Sequence, residues 1–179
     1  DKLTDAIEEL MDNGASKLIF DLRSNPGGLL TESVNVSSLF VDEGTVVIEK
    51  LKGGEEKNFD VKRGRQVAVD IPLVVLVNRF SASASEIVAA ALQDYRRAIV
   101  VGGQHTHGKG TVQTIIDLNE NIPLLHLRRY DDLGALKATI QKFYRVDGGS
   151  TQYKGVVPDV VLPSLFQNLK SGEQYLDYS

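Results

Sequence analysis

Ser83 stands in a serine-rich stretch, Phe80-Ser81-Ala82-Ser83-Ala84-Ser85-Glu86-Ile87, and further along Lys109 sits between two glycines in Gly108-Lys109-Gly110. A serine hydroxyl is a weak nucleophile until a neighbouring base removes its proton. Histidine is the usual base. A lysine amine serves when it is neutral, which requires its pKa to fall from roughly 10.4 through burial in a water-poor pocket. Flanking glycines suit a short loop folded tightly over a serine. The pair therefore reads as nucleophilic catalysis, with Ser83 as nucleophile and Lys109 as general base. Gln113, four residues beyond the lysine, could orient the amine through its side-chain oxygen without adding charge that would keep it protonated. Two backbone N–H groups complete the set as oxyanion donors. One is Ala84, directly after the nucleophile, and the other is Gly28 of Asn25-Pro26-Gly27-Gly28.

Each of these residues also has a plainer reading. Ser83-Ala84-Ser85-Glu86 is a capping box, S-x-x-E, just before an apolar helix. Glu86 is then either the return bond of that box or a residue near the substrate. A lysine in a glycine loop is ordinarily exposed. Asn25 to Gly28 reads equally as a strand-to-helix turn. Asp94 reads as a polar helix-end residue paired with Arg96 or Arg97, or as a group behind the active site. His105-Thr106-His107 directly precedes the lysine loop. A Ser83–His107 or Ser83–His105 pairing oriented by Asp94 would make a conventional triad. The same two imidazoles could serve a metal, but no cysteine or fixed carboxylate partner accompanies them. His126 lies in a polar loop and is assigned no role.

The elements that must position these groups follow from apolar spacing. Leu3, Ile7, Leu10 and Met11 share one face, which predicts a helix over 2–13. Leu18-Ile19-Phe20 predicts a buried strand, and residues 29–40 a second helix. Residues 45–51 and 57–62, joined at Gly53-Gly54, predict a hairpin with a solvated, charged face. The run Leu73-Val74-Val75-Leu76-Val77 predicts a buried strand feeding the serine stretch, and the Ala-rich segment after it a helix. Such a strand–bend–helix exposes a hydroxyl at the mouth of a sheet, beside the unpaired N–H groups of a helix start. Further strands are expected at 98–101, 111–118, 136–146 and 156–161, and a short helix at 164–170. Residues 119–134 read as a charged loop with a short apolar run at 122–127. Alternating strands and helices over the first hundred residues predict an α/β layered fold with some parallel pairing.

With 179 residues the chain suffices for one well-packed domain, and 42% hydrophobic with 25% charged residues is ordinary for a globular protein. A net charge of −4 without a basic block argues against nucleic acid as a partner. The absence of cysteine excludes disulfides and thiolate chemistry but does not fix a compartment. No apolar run approaches the roughly 18–20 residues that span a bilayer. The chain begins at Asp1 inside an amphipathic pattern, so it is expected to be a piece of a longer protein.

Residues 18–32 (LIFDLRSNPGGLLTE), 73–95 (LVVLVNRFSASASEIVAAALQDY), 100–113 (VVGGQHTHGKGTVQ) and 139–159 (TIQKFYRVDGGSTQYKGVVPD) together resemble the C-terminal processing peptidases, and within them the tail-specific protease branch of the bacterial envelope. The resemblance implies a crotonase- or Clp-protease-like α/β core of mixed sheet and helices, working through a Ser–Lys dyad and needing no cofactor. By position it makes Ser83 the nucleophile, Lys109 the base and Gln113 the third member. Gly28 and Ala84 match the oxyanion donors, and Asp94 an aspartate that matters in this branch. One departure stands out: the loop Gly102 to Gly108 is a residue longer than in that branch and carries His105 and His107. The resemblance further implies protein substrates with unstructured, apolar C-terminal tails, an adaptor protein, a periplasmic or envelope location, and a peptide-binding PDZ domain upstream. No stretch of the sequence looks like that domain.

Overall fold

The computed structural model describes residues 2–120 and 132–177; the expectations for His126 and the apolar run at 122–127 lie outside them. The chain opens with helix α1 (Lys2–Asp12), then strand β1 (Leu18–Asp21) and helix α2 (Leu30–Ser37). Strands β2 (Thr45–Leu51) and β3 (Glu56–Asp60) form the expected hairpin. Strand β4 (Leu73–Val77) leads through the serine turn into helix α3 (Ala84–Asp94) and strand β5 (Ile99–Gly102). Strands β6 (Thr111–Asp117), β7 (Ala135–Tyr144) and β8 (Val160–Val161) follow, then a single 3-10 turn at Glu173–Tyr175.

The eight strands of the described residues form two sheets, each of one kind. One is parallel throughout, in the order β1-β4-β5-β8; the other is antiparallel, in the order β3-β2-β7-β6. Helix α3 packs against α2 and touches a strand of each sheet, β5 and β2, so it lies between the layers. That location explains its composition. A helix enclosed on all sides is apolar all round; Ala84 through Leu92 are buried without a break, and Ile87 through Leu92 are all apolar. Ala89, Ala90 and Ala91 let the strands approach closely, and the register Phe20–Val75–Val100 supplies part of the facing layer.

Three expectations change. The second helix stops at Ser37 rather than running to residue 40, because the N–H groups of Leu39 and Phe40 turn back to Val36 and Ser37 and send both side chains into the core. The last strand is confined to Val160–Val161. No helix forms over 164–170; hydrogen-bonded turns (Gln167 N–H to Ser164, Leu169 N–H to Phe166) replace it, and Phe166 packs edge-on against Phe80 at 5.5 Å. In α1, only Ile7 of the predicted stripe is fully buried, while Leu10 and Met11 are exposed. Among the described residues, no helix is long and apolar enough to cross a membrane.

Candidate active site

The serine turn is held by its outer serine and by Asn78. Ser81, fully buried, donates its hydroxyl to the Leu22 carbonyl (2.7 Å) at the end of β1 and accepts the Asn78 N–H (3.0 Å). The Asn78 side-chain oxygen accepts the N–H groups of Ser24 (2.9 Å) and Phe80 (3.0 Å). These bonds tie the two strand ends together and leave Ser83 to make the corner. Its backbone has φ 56° and ψ −119°, a left-handed geometry that L-residues avoid. Such a conformation costs about 1–3 kcal/mol and survives only where its surroundings enforce it. Gly27 is one enforcing neighbour. It has φ +89°, and a Cβ there would lie 2.5 Å from the Ala82 carbonyl and 2.6 Å from the Ala84 nitrogen. Only glycine lets the Asn25–Gly28 turn press against the serine corner.

Glu86 is the other. Its side chain is fully buried in the first turn of α3. One carboxylate oxygen accepts the Ser83 N–H (2.8 Å) and the Lys109 N–H (2.9 Å). The other accepts the Gly108 N–H (2.7 Å) and the Thr106 hydroxyl. The capping-box bond from Glu86 is therefore present, but the same carboxylate also gathers the lysine loop, so one side chain fixes the backbones of Ser83 and Lys109 together. Burial pushes the Glu86 carboxyl above its usual range, opposed by the bonds from Thr106, Gly108, Lys109 and Ser83.

The loop Gly108-Lys109-Gly110 has every backbone polar group engaged. Besides the two bonds to Glu86, the Gly110 N–H goes to the Gln152 side-chain oxygen (2.7 Å). The three carbonyls accept from the Tyr153 N–H (2.8 Å), the Thr151 hydroxyl (3.2 Å) and the Phe143 N–H (3.0 Å). The flanking glycines are required by contact as well as flexibility: a Cβ at Gly108 would sit 2.7 Å from the Tyr153 carbonyl, and one at Gly110 2.7 Å from the Gln152 nitrogen. Lys109 makes no ion pair among the described residues.

Ser83, Lys109, Gln113, Gly28 and Ala84 all line one cavity of about 230 Å³, completed by Leu29, Leu30, Ile87, Val112 and Phe143. Gln113 reaches it although it neighbours Val112 on β6, because the register shifts between those two residues and β7 carries Ile140 unpaired. Among the described residues neither the Gly28 nor the Ala84 N–H has a protein acceptor, whereas the Gly27 N–H is used by the Asn25 side chain (2.9 Å). The two open donors thus flank the serine. A second, apolar cavity of about 280 Å³ adjoins the first at Gly28, Leu29 and Ala84. The arrangement can hold an acyl group between a hydroxyl, an amine and two N–H donors.

Asp94 is not brought to the cavity. It closes α3 at the opposite end, about 16 Å along the axis from Ser83. Its partner is neither Arg96 nor Arg97 but Arg145, just past the end of β7, whose guanidinium spans both carboxylate oxygens (2.5 and 3.1 Å) and also bonds Gln93 (2.9 Å). The hydrogen bond to Asp94, more than the opposing burial, holds the Arg145 guanidinium pKa up. Arg97 instead donates to the carbonyls of Phe40, Ala68 and Ile71. A triad oriented by Asp94 therefore lacks its third member. The histidines are occupied elsewhere: His105 Nδ1 meets the Thr106 carbonyl (2.7 Å), its Nε2 faces Gln174 (3.0 Å), and His107 Nε2 lies 4.0 Å from Glu173. Among the described residues no group of three or more His, Cys, Asp or Glu side chains could hold a metal.

Sequence reasoning missed Thr106, Gln152 and Thr151, which hold the lysine loop without any motif of their own. Gly27 was visible only as one glycine of a pair; its packing against the serine corner needed the fold.

Residues 1–162 match the profile of Peptidase family S41, and the chain belongs to that family of serine peptidases. It is 44% identical to the tail-specific protease of Haemophilus influenzae over 179 residues, 98% of this chain and 25% of that protein. It is 43% identical to the carboxy-terminal-processing protease of Bartonella bacilliformis over 145 residues, 80% of this chain and 30% of that one. Its fold matches the solved photosystem II D1 C-terminal processing protease with a TM-score of 0.75 and 34% identity, over 89% of this chain and 38% of that one. The chain thus spans only about a quarter to a third of the curated relatives it matches.

Proposed function

We propose that this chain is the hydrolytic core of a serine endopeptidase acting through a Ser83–Lys109 dyad. The Ser83 Oγ attacks the scissile carbonyl carbon while the neutral Lys109 Nζ takes the hydroxyl proton. The carbonyl oxygen becomes an oxyanion held by the Gly28 and Ala84 N–H groups. Collapse breaks the C–N bond, and Lys109 returns its proton to the departing amine. Water then attacks the Ser83 ester with Lys109 again as base, releasing the new carboxylate and regenerating both side chains. Gln113 orients the lysine amine. The observation that carries this reading is the single cavity lined by all five residues, with Glu86 bridging the two reacting backbones. The substrate chain lies extended along the free edge of β6, which needs no particular side-chain sequence, and its apolar side chains enter the paired recesses at Gly28. The names of the relatives support substrates chosen by their C-terminal tails. With the resemblance, they also support an envelope setting in which a PDZ domain or adaptor presents the tail.

The test is hydrolysis of an unstructured polypeptide by the intact protein. Ser83→Ala and Lys109→Ala should each lower kcat by about 10³-fold or more while the circular dichroism spectrum stays unchanged. Tail binding without turnover in the unaltered protein would instead identify a binding domain on the same fold.

A further inference from the structure

The segment after β8 returns to the back of the lysine loop and packs closely on it at Gly172 and Glu173. Gly172 has φ +125°, and a Cβ there would lie 2.6 Å from the His107 carbonyl oxygen. The next residue, Glu173, is 93% buried for a carboxylate on a single 3-10 turn, and its N–H donates to that same His107 carbonyl (3.0 Å). One Glu173 carboxylate oxygen accepts the Gln152 side-chain NH₂ (3.3 Å), and the other faces His107 Nε2 at 4.0 Å. Gln152 in turn accepts the Gly110 N–H at 2.7 Å.

The chemistry of a primary amide makes this chain directional. A glutamine presents an oxygen on one side and an NH₂ on the other, and alone it can turn either way. A carboxylate can only accept and the Gly110 N–H can only donate, so Glu173 holds the NH₂ from the far side and keeps the amide oxygen on Gly110. We propose that Glu173 is a positioning residue for Lys109, acting through the orientation of Gln152 on the Gly110 backbone; this rests on Lys109 being the general base. Glu86 holds the loop on the serine side and Glu173 sets it from behind. Displacing a reacting group by about 1 Å costs up to about 100-fold in rate, so a small rotation at Gly110 reaches the chemistry.

The experiment is steady-state hydrolysis of an unstructured polypeptide by the intact protein as a function of pH. Glu173→Ala should lower kcat by about 10- to 100-fold with KM unchanged. It should also displace the acid limb of the kcat/KM profile, a readout that a purely structural loss would leave in place. Glu173→Gln, which keeps an oxygen for the Gln152 NH₂, should recover most of the rate. Gln152→Leu removes the relay while leaving Glu173 docked at His107, and it should reproduce both effects; it decides the matter if Glu173→Ala does not fold. Wild-type kcat and pH profile in Gln152→Leu, or in a folded Glu173→Ala, overturn the proposal. Activity surviving in Lys109→Ala overturns the dyad instead, so the two failures are distinguishable.

Discussion

Helix α3 carries a carboxylate at each end, and the two do different work. Glu86, in the first turn, is wholly buried and makes no ion pair among the described residues; its four hydrogen bonds come from three backbone N–H groups and one hydroxyl. Asp94, in the last turn, is matched to Arg145, and both side chains keep some exposure. A charge satisfied by backbone dipoles fixes the course of the chain at that point, because the donors cannot rotate away. A charge satisfied by a guanidinium joins two elements, here α3 and the end of β7, and leaves the local backbone free to relax. The acidic residue that shapes the cleft is thus the one with no opposite charge, and the one with a salt bridge is remote from it.

Removing each carboxylate sharpens this contrast. The largest expected effect is on Glu86. In Glu86→Gln one side-chain oxygen becomes an NH₂ that cannot accept, so either the Ser83 and Lys109 N–H groups or the Gly108 N–H and the Thr106 hydroxyl lose their acceptor. We expect kcat to fall by about 100-fold on an unstructured polypeptide substrate. Wild-type turnover in a folded Glu86→Gln would break the comparison at its active end. Asp94→Asn should do the reverse. It takes the paired carboxylate from the partly buried Arg145, and stability measured by urea unfolding should drop by about 1–2 kcal/mol. The kcat of the folded fraction should remain within about twofold of wild type. A large loss of kcat in folded Asp94→Asn would place that residue in the catalytic machinery after all.

A smaller effect separates what Glu86 does for turnover from what it does for stability. Burial raises its pKa in the folded protein. The stability tied to this group is therefore fully present below the ordinary glutamate range, and it is lost as pH rises through the raised value. Glutamine does not titrate, so the Tm of wild type relative to Glu86→Gln should be most favourable in acid and decline as pH increases across that window. Turnover should run the opposite way, since only the ionised carboxylate can accept all four bonds. A Tm difference that does not vary with pH would show that the carboxyl has no raised pKa.

How much of this was legible beforehand differs along the chain. Ser83, Lys109, Gln113, Gly28 and Ala84 could be named because a strand, a serine bend and an apolar helix are local features, and because glycines flank the lysine. Glu86 was legible as a capping residue but not as the clamp on the lysine loop, since three of its four bonds come from residues 20 to 23 positions away. Asp94 was assigned the wrong arginine for a related reason. Arg96 and Arg97 were nearest in sequence, yet the packing of α3 against the antiparallel sheet brings up Arg145 instead. The longer loop carries His105 and His107, which read as an alternative base for Ser83. Its extra contacts serve the returning segment at Gly172–Gln174, which no local pattern announced. Two all-parallel and all-antiparallel sheets were likewise beyond reach, because strand partners are set by tertiary packing rather than by alternation within each strand.

The most direct test compares Lys109→Ala with His107→Ala in the intact protein, measuring kcat/KM for an unstructured polypeptide at a pH above the acid limb. The dyad predicts that Lys109→Ala falls to the level of Ser83→Ala, while His107→Ala keeps kcat/KM within about tenfold of wild type. Retained activity in Lys109→Ala, with activity lost in a folded His107→Ala, would contradict it and make the histidine the base.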